Sequence, residues 1–174
     1  VAADLEPKDF TLLDMIGRGL ATGGGVGLSP KAPGTLGSLE GVALFLLFLF
    51  LKPDAGSALL APFLQLSVIN LILFAAGVWA ASSVCRLTGS GDPQTVVIDE
   101  VSGQLIGLTP LAASASIAGV AAGFVLFRLF DILKPWPIRR LERLHGGLGV
   151  MADDALAGLF TAALLWIGRH YSII

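Results

Sequence analysis

The chain has 174 residues, 55 % of them hydrophobic and only 14 % charged, with a formal net charge of −2 and a mean hydropathy of +0.82. Soluble domains carry about 25 % charged residues, so this composition excludes an ordinary soluble domain and points to the membrane. The length suits one domain over residues 1–174, and a single cysteine, Cys85, excludes an internal disulfide.

Cys85 closes an apolar run and is expected to pack as a small hydrophobe. Asp4, Glu6, Lys8 and Asp14 interrupt the first residues, so no secretory signal is expected there. Phe10, Leu13, Ile16 and Leu20 then recur at helical spacing. That predicts a short amphipathic helix over residues 9–20 at the membrane surface. The next stretch, ATGGGVGLSPKAPGTLGS, is too rich in Gly and Pro for regular structure. It is either a linker or, through Gly-rich amides beside a helix start, an anion site.

Residues 36–51 are apolar except for Glu40, and residues 55–85 carry no charge. Crossing about 30 Å of hydrocarbon takes about 20 residues, so these segments and the KPDAGS turn between them predict a helical hairpin. Glu40 would lie at its polar end, close to the Gly-rich loop. Asp92-Pro93 predicts the next helix start, Asp as N-cap and Pro at the first position. Asp99 and Glu100 would then fall in its second turn.

Residues 101–127 are again uncharged. A single crossing would put Asp99 and Glu100 on the face opposite the charged cluster that follows. A break at Thr109-Pro110 and the Ala-Ser-Ala-Ser stretch is therefore expected, with a returning helix over residues 117–133. Lys8, Arg18, Lys31, Arg86, Arg128, Lys134, Arg139, Arg140 and Arg143 then share one side, against Lys52 and Arg169 on the other. By the positive-inside rule the crowded side is cytoplasmic. A last helix over residues 150–167 completes an all-α, membrane-embedded bundle of about six helices, with helical hairpins and the polar site at their cytoplasmic ends.

The charge of this chain is concentrated where a membrane protein can least easily carry it, and such groups mark chemistry. Asp99 is followed by Gly103 and Gly107, and Asp154 by Gly158. Acid and glycine four residues apart share a helix face, so each helix can offer a carboxylate while its glycines admit a close neighbour. Magnesium takes hard oxygen ligands and keeps several waters. Asp99 and Asp154 are the expected direct ligands, with Glu100 and Asp153 as further ligands or orienting groups. Arg128, Asp131 and Lys134 recur every third residue. They are either local ion pairs, each contributing about 0.2–0.5 kcal/mol, or phosphate-holding cations with Asp131 joining the acids. Arg139, Arg140 and Arg143 would attract anionic headgroups. His145, before two glycines, is expected on a loop as a hydrogen-bond partner.

LSPKAPGTLGSL, VVIDEVSGQ, FRLFDILKPWPIRRLE and HGGLGVMADDALAG resemble the signature blocks of the phosphatidylglycerophosphatase A family. The resemblance runs from about Gly27 to the C-terminus. It implies an all-α bundle with one central helix, in the bacterial inner membrane, with the active site facing the cytoplasm. It further implies Mg²⁺-dependent hydrolysis of the terminal phosphate of phosphatidylglycerophosphate, giving phosphatidylglycerol in glycerophospholipid biosynthesis. The phosphate would dock on Arg128, Lys134, Arg139, Thr35 and Lys31. Mg²⁺ on Asp99, Glu100, Asp153 and Asp154 would neutralise charge and acidify water. Attack by water or by an aspartate remains open. Ile98 stands where many members have Trp, and Pro93-Gln94-Thr95 replaces a His-containing stretch, which weakens any catalytic His there.

Two other classes are less well served. Ion-coupled transporters bind near the bilayer midplane, whereas these acids sit at helix ends. A CDP-alcohol phosphotransferase needs its own spaced acidic and Arg motif in one segment, which is missing. The expected partners are a phospholipid substrate and the bilayer, with no nucleic acid.

Overall fold

The computed structural model describes residues 11–52, 60–141 and 144–172. The KPDAGS turn beyond Lys52, as well as Lys8, Glu142 and Arg143, lies outside them. Helix α1, Leu12–Ala21, opens on a capping box: Asp14 N donates to Thr11 Oγ1, and Thr11 N donates back to Asp14 Oδ2 at 3.1 Å. Gly17 and Ala21 are buried, and Gly17 lies against Ser83, while Leu12, Leu13, Met15 and Ile16 face outward. A tight 3-10 turn over Gly23–Leu28 follows. Its Gly23 sits at φ 56°, and a Cβ there would strike Glu40 Oε2. Glu40 thus meets the Gly-rich loop as expected.

Helix α2, Pro33–Leu51, starts three residues earlier than its apolar run. Pro33 occupies the first turn, where a missing N–H costs no hydrogen bond. Helix α3 covers Leu60–Thr88. Helix α4, Ile98–Leu108, departs from the expected start at Asp92-Pro93. Pro93 O instead accepts from Val96 N in a turn, and Val97 N donates to Ala21 O, so the buried valines run on before the helix begins. Asp99 and Glu100 therefore stand in its first turn, where unpaired amides and the helix dipole favour negative charge. The chain breaks in a 3-10 turn at Thr109–Leu111 and returns as α5, Ile117–Leu133, capped by Ser116 Oγ accepting from Gly119 N. The short α6, Ile138–Leu141, leads to α7, Gly147–His170, which starts three residues before the expected Val150.

Helix α4 touches α2, α3, α5 and α7, which makes it the centre of the bundle. Its crossing with α7 is built on glycine. A Cβ at Gly158 would collide with Gly103 O, and one at Gly103 would lie 2.6 Å from both Asp154 O and the Phe127 ring. Helix α2 approaches α4 through Gly37 and Gly41 in the same way. Among the described residues three helices, α2, α3 and α7, are long and apolar enough to cross a membrane. At 1.5 Å per residue the shortest measures about 28 Å. Leu46, Phe50, Leu71, Ile72 and Trp166 are exposed on them, an apolar surface suited to acyl chains.

The hairpin of α4 and α5 has two distinct ends. At the turn end, Lys52 Nζ donates to Ala112 O and Ala113 O, and Arg169 Nη1 donates to Pro110 O. The other end holds Asp99, Glu100, Arg128 and Lys134. The expected return of the chain at Thr109-Pro110 is therefore observed.

Candidate active site

The first turns of α2, α4 and α7, the end of α5 and the loop between α3 and α4 enclose a cavity of ≈ 460 Å³. Asp99, Glu100, Asp131, Lys134, Asp153 and Asp154 line it, with Pro33, Gly34 and residues 91–94. One carboxylate oxygen from each of Asp99, Glu100 and Asp154 lies within 4.8 Å of the others. The glycine crossing explains this meeting: α4 and α7 approach backbone to backbone just beyond the acids, so Asp99 and Asp154 converge. Asp153 points elsewhere, since adjacent residues diverge by about 100° on a helix. Its Oδ2 accepts from Lys134 Nζ at 2.6 Å.

The stripe on α5 is divided between two partners. Arg128 Nη1 donates to Asp131 Oδ2 at 2.5 Å and to Ser38 Oγ at 3.3 Å, while Lys134 reaches across to α7. Lys134 caps α5 in a left-handed conformation, φ 42°. The reading of two local ion pairs thus holds for Arg128–Asp131, and Lys134 bridges helices.

The acids suit a divalent cation. Asp99 Oδ1, Glu100 Oε2 and Asp153 Oδ1 are buried without a hydrogen-bond partner among the described residues. Leaving buried carboxylate oxygens unsatisfied is costly, and hard oxygen donors at this spacing are what Mg²⁺ accepts. Asp99, Glu100 and Asp154 could hold such an ion, with Asp153 alongside.

Of the other expected residues, Arg128 is not itself on the cavity wall, but its Nη1 would lie only 3.4 Å from a Cβ at Gly34, which is, so it borders the site. Thr35 is half-buried in the first turn of α2, Lys31 is exposed before that helix, and Arg139 is exposed on α6; none of the three lines the cavity. His145 is exposed on the loop before α7, and Cys85 is half-buried, its thiol reaching Gly91 O at 3.6 Å. Gly34 and Ser38 were not foreseen. A Cβ at Gly34 would collide with Glu100 Oε1, and Ser38, fully buried, meets Arg128. The run of small residues at 34, 37, 38 and 41 along one helix face was the signal for both.

Fold and site together define a helical membrane protein whose acids and cations meet in one cavity at the helix ends. The sequence model of the family "Phosphatidylglycerophosphatase A" matches residues 19–169. Phosphatidylglycerophosphatase A of Escherichia coli is 38 % identical over 88 % of this chain and 84 % of its own length. The Haemophilus influenzae protein of the same name is 35 % identical over 95 % and 96 %. A Bacteroides thetaiotaomicron protein with the provisional name phosphatidylinositol-3-phosphatase is 40 % identical over 86 % and 91 %. No solved structure matches. The chain belongs to the phosphatidylglycerophosphatase A family and is an enzyme, a phosphatase.

Proposed function

We propose that this chain hydrolyses the terminal phosphate monoester of phosphatidylglycerophosphate, releasing inorganic phosphate and phosphatidylglycerol, with Mg²⁺ as cofactor. The observation that carries the reading is the cavity itself, where Asp99, Glu100 and Asp154 face Lys134 and the Arg128–Asp131 pair. Family membership supports it, and so does the lipid phosphate monoester common to the relatives' names.

In this reading Lys134 and Arg128 donate charge-assisted hydrogen bonds to the non-bridging phosphate oxygens. Asp153 and Asp131 aim them until substrate arrives, and phosphate oxygens then compete for the same donors. Mg²⁺, held by Asp99, Glu100 and Asp154, supplies charge neutralisation and a more acidic water. Water adds to phosphorus in line as the bond to the glycerol oxygen breaks, and that oxygen leaves with a proton. Positioning and electrostatics supply most of such a rate enhancement. The acyl chains stay in the bilayer, because the site lies at the ends of the spanning helices. With Lys31, Arg86, Arg128, Lys134, Arg139 and Arg140 on the site side and Lys52 and Arg169 opposite, the site faces the cytoplasm of a bacterial inner membrane.

Phosphate release from phosphatidylglycerophosphate in detergent micelles tests this reading. EDTA should abolish turnover and Mg²⁺ restore it. Full turnover after exhaustive chelation would remove the metal from the mechanism, and no release from any lipid phosphate would remove the activity.

A further inference from the structure

One stretch of the cavity wall is unlike the rest. The metal-binding and cationic groups come from helices, whereas Gly91, Asp92, Pro93 and Gln94 come from the loop between α3 and α4. The loop adds a carboxylate and a neutral amide, and no cation. It is also held in place: Cys85 Sγ reaches Gly91 O, Asp92 N donates to Ser90 Oγ, and Val96 N donates to Pro93 O. The Gly-rich turn after α1 lies so close beneath that a Cβ at Gly27 would collide with Thr95 O. Pro93 is buried, and Asp92 and Gln94 are exposed and line the cavity.

A phosphate cannot favourably rest against Asp92, because like charges repel. A hydroxyl can, since an ionised carboxylate only accepts hydrogen bonds and a glutamine amide both donates and accepts. The cavity, at ≈ 460 Å³, falls within the range of about 300–1,000 Å³ typical of small-ligand sites. It therefore has room for more than a phosphate. Resting on the reading of the site as a lipid phosphatase, we propose that Asp92 and Gln94 recognise the free hydroxyl of the polyol headgroup. They would thereby select lipids whose phosphate is carried on a hydroxylated alcohol. Because the loop is fixed in advance, little ordering cost offsets the contact. A site built to bond a hydroxyl rejects the analogue that lacks it, since its polar groups are left unpaired. Partial exposure of both side chains reduces the expected discrimination to about tenfold.

The experiment uses the full chain in micelles with two substrates: phosphatidylglycerophosphate, and its 2-deoxy analogue with propane-1,3-diol in place of glycerol. The wild type should prefer the hydroxylated lipid by about tenfold in kcat/KM, chiefly through KM. In Asp92→Ala and Gln94→Ala combined, that preference should shrink to within twofold. Equal handling of both lipids by the wild type would overturn the proposal, as would an undiminished preference in the double variant. A loop that served only structure would lower both rates together and leave their ratio intact, which also overturns it. Failure of the wild type to hydrolyse either lipid would instead strike the proposed function.

Discussion

The two ends of the α4–α5 hairpin use the same chemical types in opposite ways. At the turn end, Lys52 and Arg169 donate to backbone carbonyls at residues 110, 112 and 113, and Arg169 also reaches Ser114 Oγ. Those carbonyls belong to the turn where the chain breaks between α4 and α5, where backbone groups lack helical partners and unsatisfied ones are costly. The cations there serve the fold. At the other end Arg128 and Lys134 bond to carboxylates, and buried carboxylate oxygens of Asp99, Glu100 and Asp153 have no hydrogen-bond partner among the described residues. Such imbalance destabilises a fold unless a ligand relieves it. Charge that is satisfied by backbone marks architecture, and charge left in excess marks the site.

The sharpest way to break this contrast is to remove acids from the site end. Asp99→Asn and Asp154→Asn each delete a charged oxygen and keep the shape, so the apolar contacts survive. Activity should fall by about a thousandfold or more in either, and the double variant should be little worse, because groups that act as a unit lose function non-additively. Melting temperature should hold, or rise slightly in the absence of metal as like-charge repulsion is relieved. Near wild-type kcat/KM in both variants would place the site elsewhere.

The turn end should behave in the reverse sense. Lys52→Ala strands two carbonyls, and charged hydrogen bonds of this kind contribute about 1.5–3 kcal/mol. For a chain of this length each kcal/mol moves Tm by about 2–4 °C, so a clear drop in melting temperature is expected with kcat/KM within about threefold. A collapse of activity at unchanged Tm would show that the turn end belongs to the chemistry.

Much of this division was legible in the sequence, and the parts that were not share a physical cause. The hairpin followed from charge bookkeeping, because a single crossing would have separated Asp99 from Asp154. The i,i+4 acid–glycine pairs encoded the α4–α7 crossing, since spacing alone puts them on one face. The start of α4 was missed because Asp92-Pro93 is as good a turn as a helix cap, and only the bond from Val97 N to Ala21 O, a long-range contact, decides between them. The bond from Lys134 to Asp153 was equally hidden: it depends on a left-handed residue at the end of α5 and on a neighbouring helix. Lys31, Thr35 and Arg139 fall within the signature blocks, yet lining a cavity depends on the direction a side chain takes.

Arg139 gives the smallest and most discriminating test. It is exposed on α6, beside Arg140, whose guanidinium lies 5.5 Å from the centroid of the Trp136 ring. A cation exposed there, off the cavity wall, is expected to act on anionic headgroups more than on a bound phosphate. A surface cation near anionic lipid contributes about 1 kcal/mol, which is roughly fivefold in binding. Salt screens it over a Debye length of about 8 Å at 0.15 M ionic strength. In Arg139→Ala, kcat should therefore stay within about twofold in neutral detergent micelles. Apparent KM should rise by up to about fivefold only in anionic vesicles at low salt, and the difference should vanish at high salt. Arg128→Ala provides the contrast, since its guanidinium is tied to Asp131 beside the acids and its loss should lower kcat in every medium. A kcat defect for Arg139→Ala that persisted in neutral micelles at high salt would bring this side chain into the phosphate site and redraw the boundary between surface attraction and catalysis.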